Sequence, residues 1–185
     1  MNKILTFVLM LLISLQAAAQ WGDEEIDSEA SWQDRVFTGG GFGMAFSSTQ
    51  DYISISPLIG YMITPKLAGG VTFQYRYSKY KIYTPSISTN DYGISPFLRF
   101  NIYPPLFLHV EYEYLNYEYP NSLNTAETFR EGYNSFMAGG GFFQPVGRRA
   151  GFFVLALYNF SYSANQTNTP YDSPLIIRAG ITAGF

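Results

Sequence analysis

Glu111 and Glu113 stand two residues apart in the run Leu106 to Glu118, and His109 precedes them by the same spacing. Residues separated by two share one face of a strand, so the three would project together. Paired carboxylates on one face suit general acid–base chemistry. His109 is the chain's sole histidine and so the only base that a Ser–His–Asp arrangement could use. Arg76, Arg99 and Arg178 fall at positions of matching parity in other segments. Arginines on the same side would engage both carboxylates as ion-pair partners. Nothing near Glu111 and Glu113 suggests a sugar-sized cleft. The set therefore reads first as an ion-pair network, because charges enclosed in a narrow space must be compensated. A proton or ion path along the same groups is the sharper alternative. Two glycine triplets, Gly39 to Gly41 and Gly139 to Gly141, invite a phosphate-loop reading. That reading needs a following helix whose N-terminus would hold the anion, and both triplets run on as strand. Glycines at such places permit curvature and close packing from across a barrel. No catalytic, cofactor-binding or metal residue is assigned.

The elements that would position these groups are eight stretches of alternating apolar and polar residues. They are drawn at 35–47, 52–63, 67–78, 91–103, 106–118, 133–144, 150–162 and 174–185. Short connectors, Thr64 to Lys66, Pro104-Pro105 and Pro145 to Arg148, are rich in proline, which cannot donate to a ladder. Long polar connectors, 79–90, 119–132 and 163–173, alternate with them, and only 48–51 on that side is small. The rhythm predicts an all-β fold, an eight-stranded antiparallel up-and-down transmembrane β-barrel with both termini at the rim of tight turns. If Pro104-Pro105 is a tight turn, Arg99 comes close to His109 and Glu111.

Side-chain parity separates an oily face from a polar one. Ile53, Ile55, Ile59 and Tyr61 oppose Ser54, Ser56 and Gly60, while Leu106, Leu108, Val110, Tyr112 and Tyr114 oppose His109, Glu111 and Glu113. A soluble barrel would turn the oily set inward, so parity alone does not choose. The few charges per strand, the Gly and Ser on the polar faces and the aromatics near strand ends favour lipid outside. The sixth and seventh strands, with Phe142-Phe143 and Phe152 to Leu155, are apolar on both faces.

Beyond the first residues, no apolar run reaches the roughly 20 residues of a membrane helix. A net charge of −3 with only 14% charged residues leaves no basic footprint for nucleic acid. The absence of cysteine excludes disulfides, thiolate metal sites and an acylated lipoprotein cysteine. Lys3, the apolar run Ile4 to Leu15 and Ala17-Ala18-Ala19 predict a signal peptide over 1–19, cleaved between Ala19 and Gln20. An acidic, aperiodic lead-in at 20–34 then precedes the barrel at 35–185.

The leader ending Ala17-Ala18-Ala19-Gln20, the hairpin Ile59 to Gly70 and the terminal Ala179 to Phe185 resemble the outer membrane beta-barrel domain family of Gram-negative bacteria. Its small members are similar in layout to the OmpA transmembrane domain and to OmpX. The resemblance implies outer-membrane lipid and the outer-membrane assembly machinery as partners. The assembly signal would fall on Ile181, Ala183 and Phe185, and Ala183 is smaller than the usual bulky residue. It carries no catalytic motif and no cofactor. The appended peptidoglycan-binding domain of OmpA-like proteins has no counterpart in the sequence, so a tethering role is not expected.

The functional expectation is a small, non-enzymatic outer-membrane barrel with a filled lumen. It would act in surface structure, adhesion or contact with an extracellular partner through 79–90, 119–132 and 163–173. A narrow pore, an outer-membrane lipid-modifying enzyme and a soluble periplasmic barrel holding an apolar ligand are the competing expectations.

Overall fold

The computed structural model describes residues 31–46, 48, 50–121, 127–146, 150–163, 170–171 and 173–184. The expected signal peptide with its Ala19–Gln20 cleavage site, most of the acidic lead-in and Phe185 lie outside these residues. After a 3-10 turn at Trp32–Arg35 come eight strands: β1 Val36–Phe46, β2 Gln50–Met62, β3 Leu67–Tyr80, β4 Ile87–Tyr103, β5 Leu106–Pro120, β6 Thr128–Pro145, β7 Ala150–Asn159 and β8 Leu175–Ala183. Each pairs antiparallel with its sequence neighbour, and β1 closes on β8 to make a barrel. This is the expected all-antiparallel up-and-down topology.

Every strand is built on the period of two. Along β5, Leu106, Leu108, Val110, Tyr112 and Tyr114 are exposed, while Phe107, His109, Glu111, Glu113 and Leu115 between them are buried. The other strands repeat this, exposing Ile53, Phe73, Leu98, Phe136, Val154 and Ile177 and burying Ser95, Arg99 and Ser135. The oily set therefore covers the outside and the ionic set fills the tube, which decides the question parity left open.

The double apolar character of the sixth and seventh strands now has a cause. Phe153, Leu155 and Leu157 point inward and join Phe37, Leu58, Ala68, Phe97, Phe107 and Met137 in an apolar core inside the barrel. Most of these residues lie near the turn rim. The core's aromatics rest on glycines: Phe37 faces Gly60, Phe97 faces Gly70, Phe107 faces Gly141 and Phe153 faces Gly180, each a cross-strand register pair. A Cβ at Gly70 would lie 2.6 Å from the Phe97 ring, and one at Gly180 would lie 2.7 Å from Phe153. Such contacts exclude any side chain beneath the ring. Of the two glycine triplets, Gly141 lies beneath Phe107 and Gly39, Gly40 and Gly139 lie against neighbouring backbone, and strand rather than helix follows both.

The boundaries differ from expectation on the long-loop side. β4 begins at Ile87 rather than 91 and β6 at Thr128 rather than 133, so half of 79–90 and half of 119–132 is strand. The apolar–polar pattern fades there because polar residues stand on both faces, Ser88 exposed and Thr89 and Asp91 buried. The backbone ladder continues regardless, as in Lys79↔Ser88 and Pro120↔Thr128. β7 instead stops short of 162, at Asn159, whose Oδ1 accepts the Ser161 N–H at 2.9 Å and turns the chain.

Candidate functional site: the charged lumen

The β5 inner face ranks the lumen in layers. Phe107 lies at the turn end, then His109, Glu111 and Glu113, then Leu115. Around the middle layer the barrel brings four of the six expected network residues together. Arg178 of β8 reaches across to place Nη1 2.8 Å from Glu111 Oε1 and Nη2 3.0 Å from Glu113 Oε2. His109 Nε2 lies 3.1 Å from Glu111 Oε2. A carboxylate only accepts, so Nε2 carries the hydrogen of that bond.

Glu113 is fully buried, with 0% exposure, and its donors explain how it tolerates that. Gln74 Nε2 donates to it at 2.6 Å while also donating to Ser95 Oγ at 2.8 Å. Tyr171, from the connector between β7 and β8, donates its hydroxyl to the other oxygen of Glu113. Enclosure first, and then the charge of Glu113, push the Tyr171 phenol well above its ordinary range, which keeps it a neutral donor. A loop residue thus closes the layer from above, packed against Tyr133 with ring centroids 6.3 Å apart. Sequence reading placed Tyr171 in an outward-facing loop, and no spacing signal marked it as a lumen residue.

Arg76 belongs to a separate pair. Its Nε lies 2.7 Å from Asp91 Oδ2, and Asp91 is 1% exposed. Asp91 Oδ1 accepts the Glu118 N–H at 2.9 Å, and Glu118 Oε2 accepts the Asn90 N–H at 2.8 Å. These reciprocal side-chain bonds take over where the β4–β5 ladder ends at Tyr92↔Asn116. Above them Arg130 holds Glu118 at 2.7 Å. Asp91 was missed because it opened a predicted strand beside a polar loop. Its parity with Ser95 and Arg99 was the available signal.

Arg99 corrects the expectation of a fully paired network. The turn does set it opposite His109 in the register, yet among the described residues it makes no ion pair. Its guanidinium carbon sits 4.4 Å from the Phe107 ring centroid, 5.4 Å from Phe153 and 6.0 Å from Phe97. The electron-rich ring faces, rather than a carboxylate, surround the cation. The reason lies in geometry: Arg178 and His109 already occupy Glu111, and Arg99 lies one layer nearer the aromatic core.

Beside Arg99 is a cavity of about 30 Å³, lined by Ser56, Thr72, His109, Glu111, Arg178 and the rings of Phe97 and Phe153. Ile181 and Ala183 of the expected assembly signal are exposed on the outer face of β8.

No family model matches the chain, and no curated protein matches it in sequence. Among solved structures, the chain is similar to the N-terminal beta-barrel domain of Pseudomonas aeruginosa OprF, known from a crystal structure. The likeness has a TM-score of 0.47 and 16% sequence identity, and it covers 83% of this chain and 98% of that one.

Proposed function

We propose that the chain is an integral outer-membrane barrel whose lumen is closed by its own side chains and which works through its outer surface. One observation carries this reading: exposed Ile, Leu, Phe and Tyr encircle the wall while Arg99, Glu111, Glu113 and Arg178 lie inside. In water that arrangement would leave the apolar belt solvated; in hydrocarbon it is the low-energy one. Strands of roughly 9–11 tilted residues cross a bilayer, so β4 with 17 residues and β6 with 18 project past it. The projecting ends of β3 to β6 form a wall carrying Tyr77, Asn90, Tyr119 and Arg130. This wall and the loops beyond it are the surface offered to a partner outside the cell.

A solute path is disfavoured because Arg178 and its two carboxylates bar the middle of the tube. Catalysis is disfavoured because His109 and both carboxylates are occupied by one another and by Arg178. The adjoining cavity is also far smaller than the roughly 300 Å³ at which ligand pockets begin. In planar bilayers the protein should give no defined conductance steps, and unboiled samples should migrate anomalously on denaturing gels until heated. Regular steps would replace this reading with a pore; heat-insensitive migration and extraction without detergent would replace it with a soluble barrel.

A further inference from the structure

Arg99 is 5% exposed and His109 4% exposed, yet Arg99 Nε and His109 Nδ1 have no hydrogen-bond partner. Both residues line the same cavity, of about 30 Å³, which is room for about two water molecules or one chloride or bromide ion. Ring faces balance part of the guanidinium's charge, but Nε is left without an acceptor, and a buried donor without an acceptor is costly.

The charges around His109 can be counted element by element. β4 brings Arg99, β5 brings Glu111 and Glu113, and β8 brings Arg178. The connector before β8 brings the neutral Tyr171 hydroxyl, while β2 adds Ser56 and Leu58 and β3 adds Thr72 to the cavity, none of them charged. β1 and β7 line it with Gly41, Phe153 and Leu155, and β6 sets Gly139 opposite His109. With His109 neutral, two arginines balance two glutamates. A proton on His109 leaves one positive charge in excess, and Nδ1 then becomes a second donor beside Arg99 Nε. Glu111 also borders the cavity; its Oε1 accepts no hydrogen bond but lies 2.8 Å from Arg178 Nη1, and its Oε2 accepts from His109, so an anion sits on the Arg99 side.

We propose that this cavity is a binding site for one monovalent anion of halide size, taken up together with a proton on His109. The anion receives hydrogen bonds from Arg99 and His109, with the Ser56 and Thr72 hydroxyls within the same lining. Uptake restores neutrality inside the barrel, so affinity falls as His109 loses its proton.

The test uses the whole protein in detergent at constant ionic strength, with sodium bromide or chloride replacing sodium gluconate. At pH 5 the halide should raise the unfolding temperature by several degrees in a saturable way. At pH 8 at least tenfold more halide should be needed for the same shift. Arg99→Met should abolish the halide effect, His109→Gln should remove its pH dependence, and Lys66→Gln in the exposed β2–β3 turn should change neither. Equal unfolding temperatures in gluconate and halide at pH 5, or a halide effect surviving in Arg99→Met, overturns the proposal. If Arg99→Met does not fold, bromide-grown crystals of the wild type decide. An anomalous peak beside Arg99 supports the site; peaks on the surface only, or none, overturn it.

Discussion

At the scale of single residues, the two central arginines are held in opposite ways and should respond differently to removal. Arg178 is the only cation placed within bonding distance of both Glu111 and Glu113 among the described residues. Arg178→Met leaves two buried carboxylates facing one another, and breaking a buried pair on one side costs about 3–5 kcal/mol. Urea unfolding from lipid vesicles should show that loss, and Glu113→Gln in the same chain should recover part of it. Arg99→Met, measured in gluconate, should cost less than half as much, because methionine fits among Phe97, Phe107 and Phe153 and no acid is directly orphaned. Equal losses would mean that Arg99 serves the carboxylates through space. The sequence allowed the inward set to be named, since period two assigns faces without tertiary knowledge. It did not allow the pairing to be named. Parity gives a side chain's direction, whereas which arginine meets which carboxylate depends on shear around the closed barrel. Asp91 and Tyr171 escaped for another reason: one opens its strand beside a polar connector and the other lies in a connector with no period at all.

At the scale of elements, the unit of the core is a ring on one strand seated over a glycine on the next. Gly180→Ala places a methyl 2.7 Å from Phe153 and 2.5 Å from the Gly40 carbonyl oxygen. Neither the ladder nor a ring enclosed by the core gives way easily, so overpacking should cost roughly 1–3 kcal/mol. Phe153→Ala should cost roughly 3–5 kcal/mol by opening a cavity. The pair Gly180→Ala with Phe153→Leu should then be less destabilised than the sum of its parts, as contacting sites are. Strict additivity in vesicle unfolding would show that ring and glycine do not form one unit. The strands' number and order were readable from connector lengths and alternation, but their extent was not. β4 runs on through Ser88, Thr89 and Asn90, and β6 through Arg130 and Glu131, because neighbouring backbones, rather than side-chain polarity, satisfy the ladder. The Asp91–Glu118 crosslink stands at the height where β4 loses β5 as a ladder partner. Asp91→Asn keeps one acceptor and loses the charge opposite Arg76. It should therefore speed amide exchange at Asn90 and Glu118 while leaving that of His109 to Glu113 unchanged.

At the scale of the whole molecule, the barrel's perimeter is uneven. β5 and β6 are paired from Leu106↔Phe142 to Pro120↔Thr128. β1 and β8 are paired only at Thr38↔Ala183, Gly39↔Thr182 and Gly40↔Ile181 among the described residues. Above that seam, lumen hydroxyls stand in for part of the ladder: Gly41 N–H donates to Ser56 Oγ at 3.2 Å, and Ser54 Oγ donates to the Gly43 carbonyl at 3.4 Å. These bonds are long for hydrogen bonds and so weak substitutes for ladder bonds. Regions with few backbone bonds open at lower free energy than those with complete ladders. The seam is therefore where this closed sheet should open first, and the tall β3 to β6 wall stands away from it and keeps its shape. Hydrogen exchange on the folded protein in vesicles should show segment 41–46 at least tenfold faster than segment 107–115. Ser56→Ala should quicken the first segment further without touching the second, because it removes the hydroxyl that holds Gly41 and leaves β5 intact. Uniform protection around the barrel would mean that β1 and β8 are zipped along their full length.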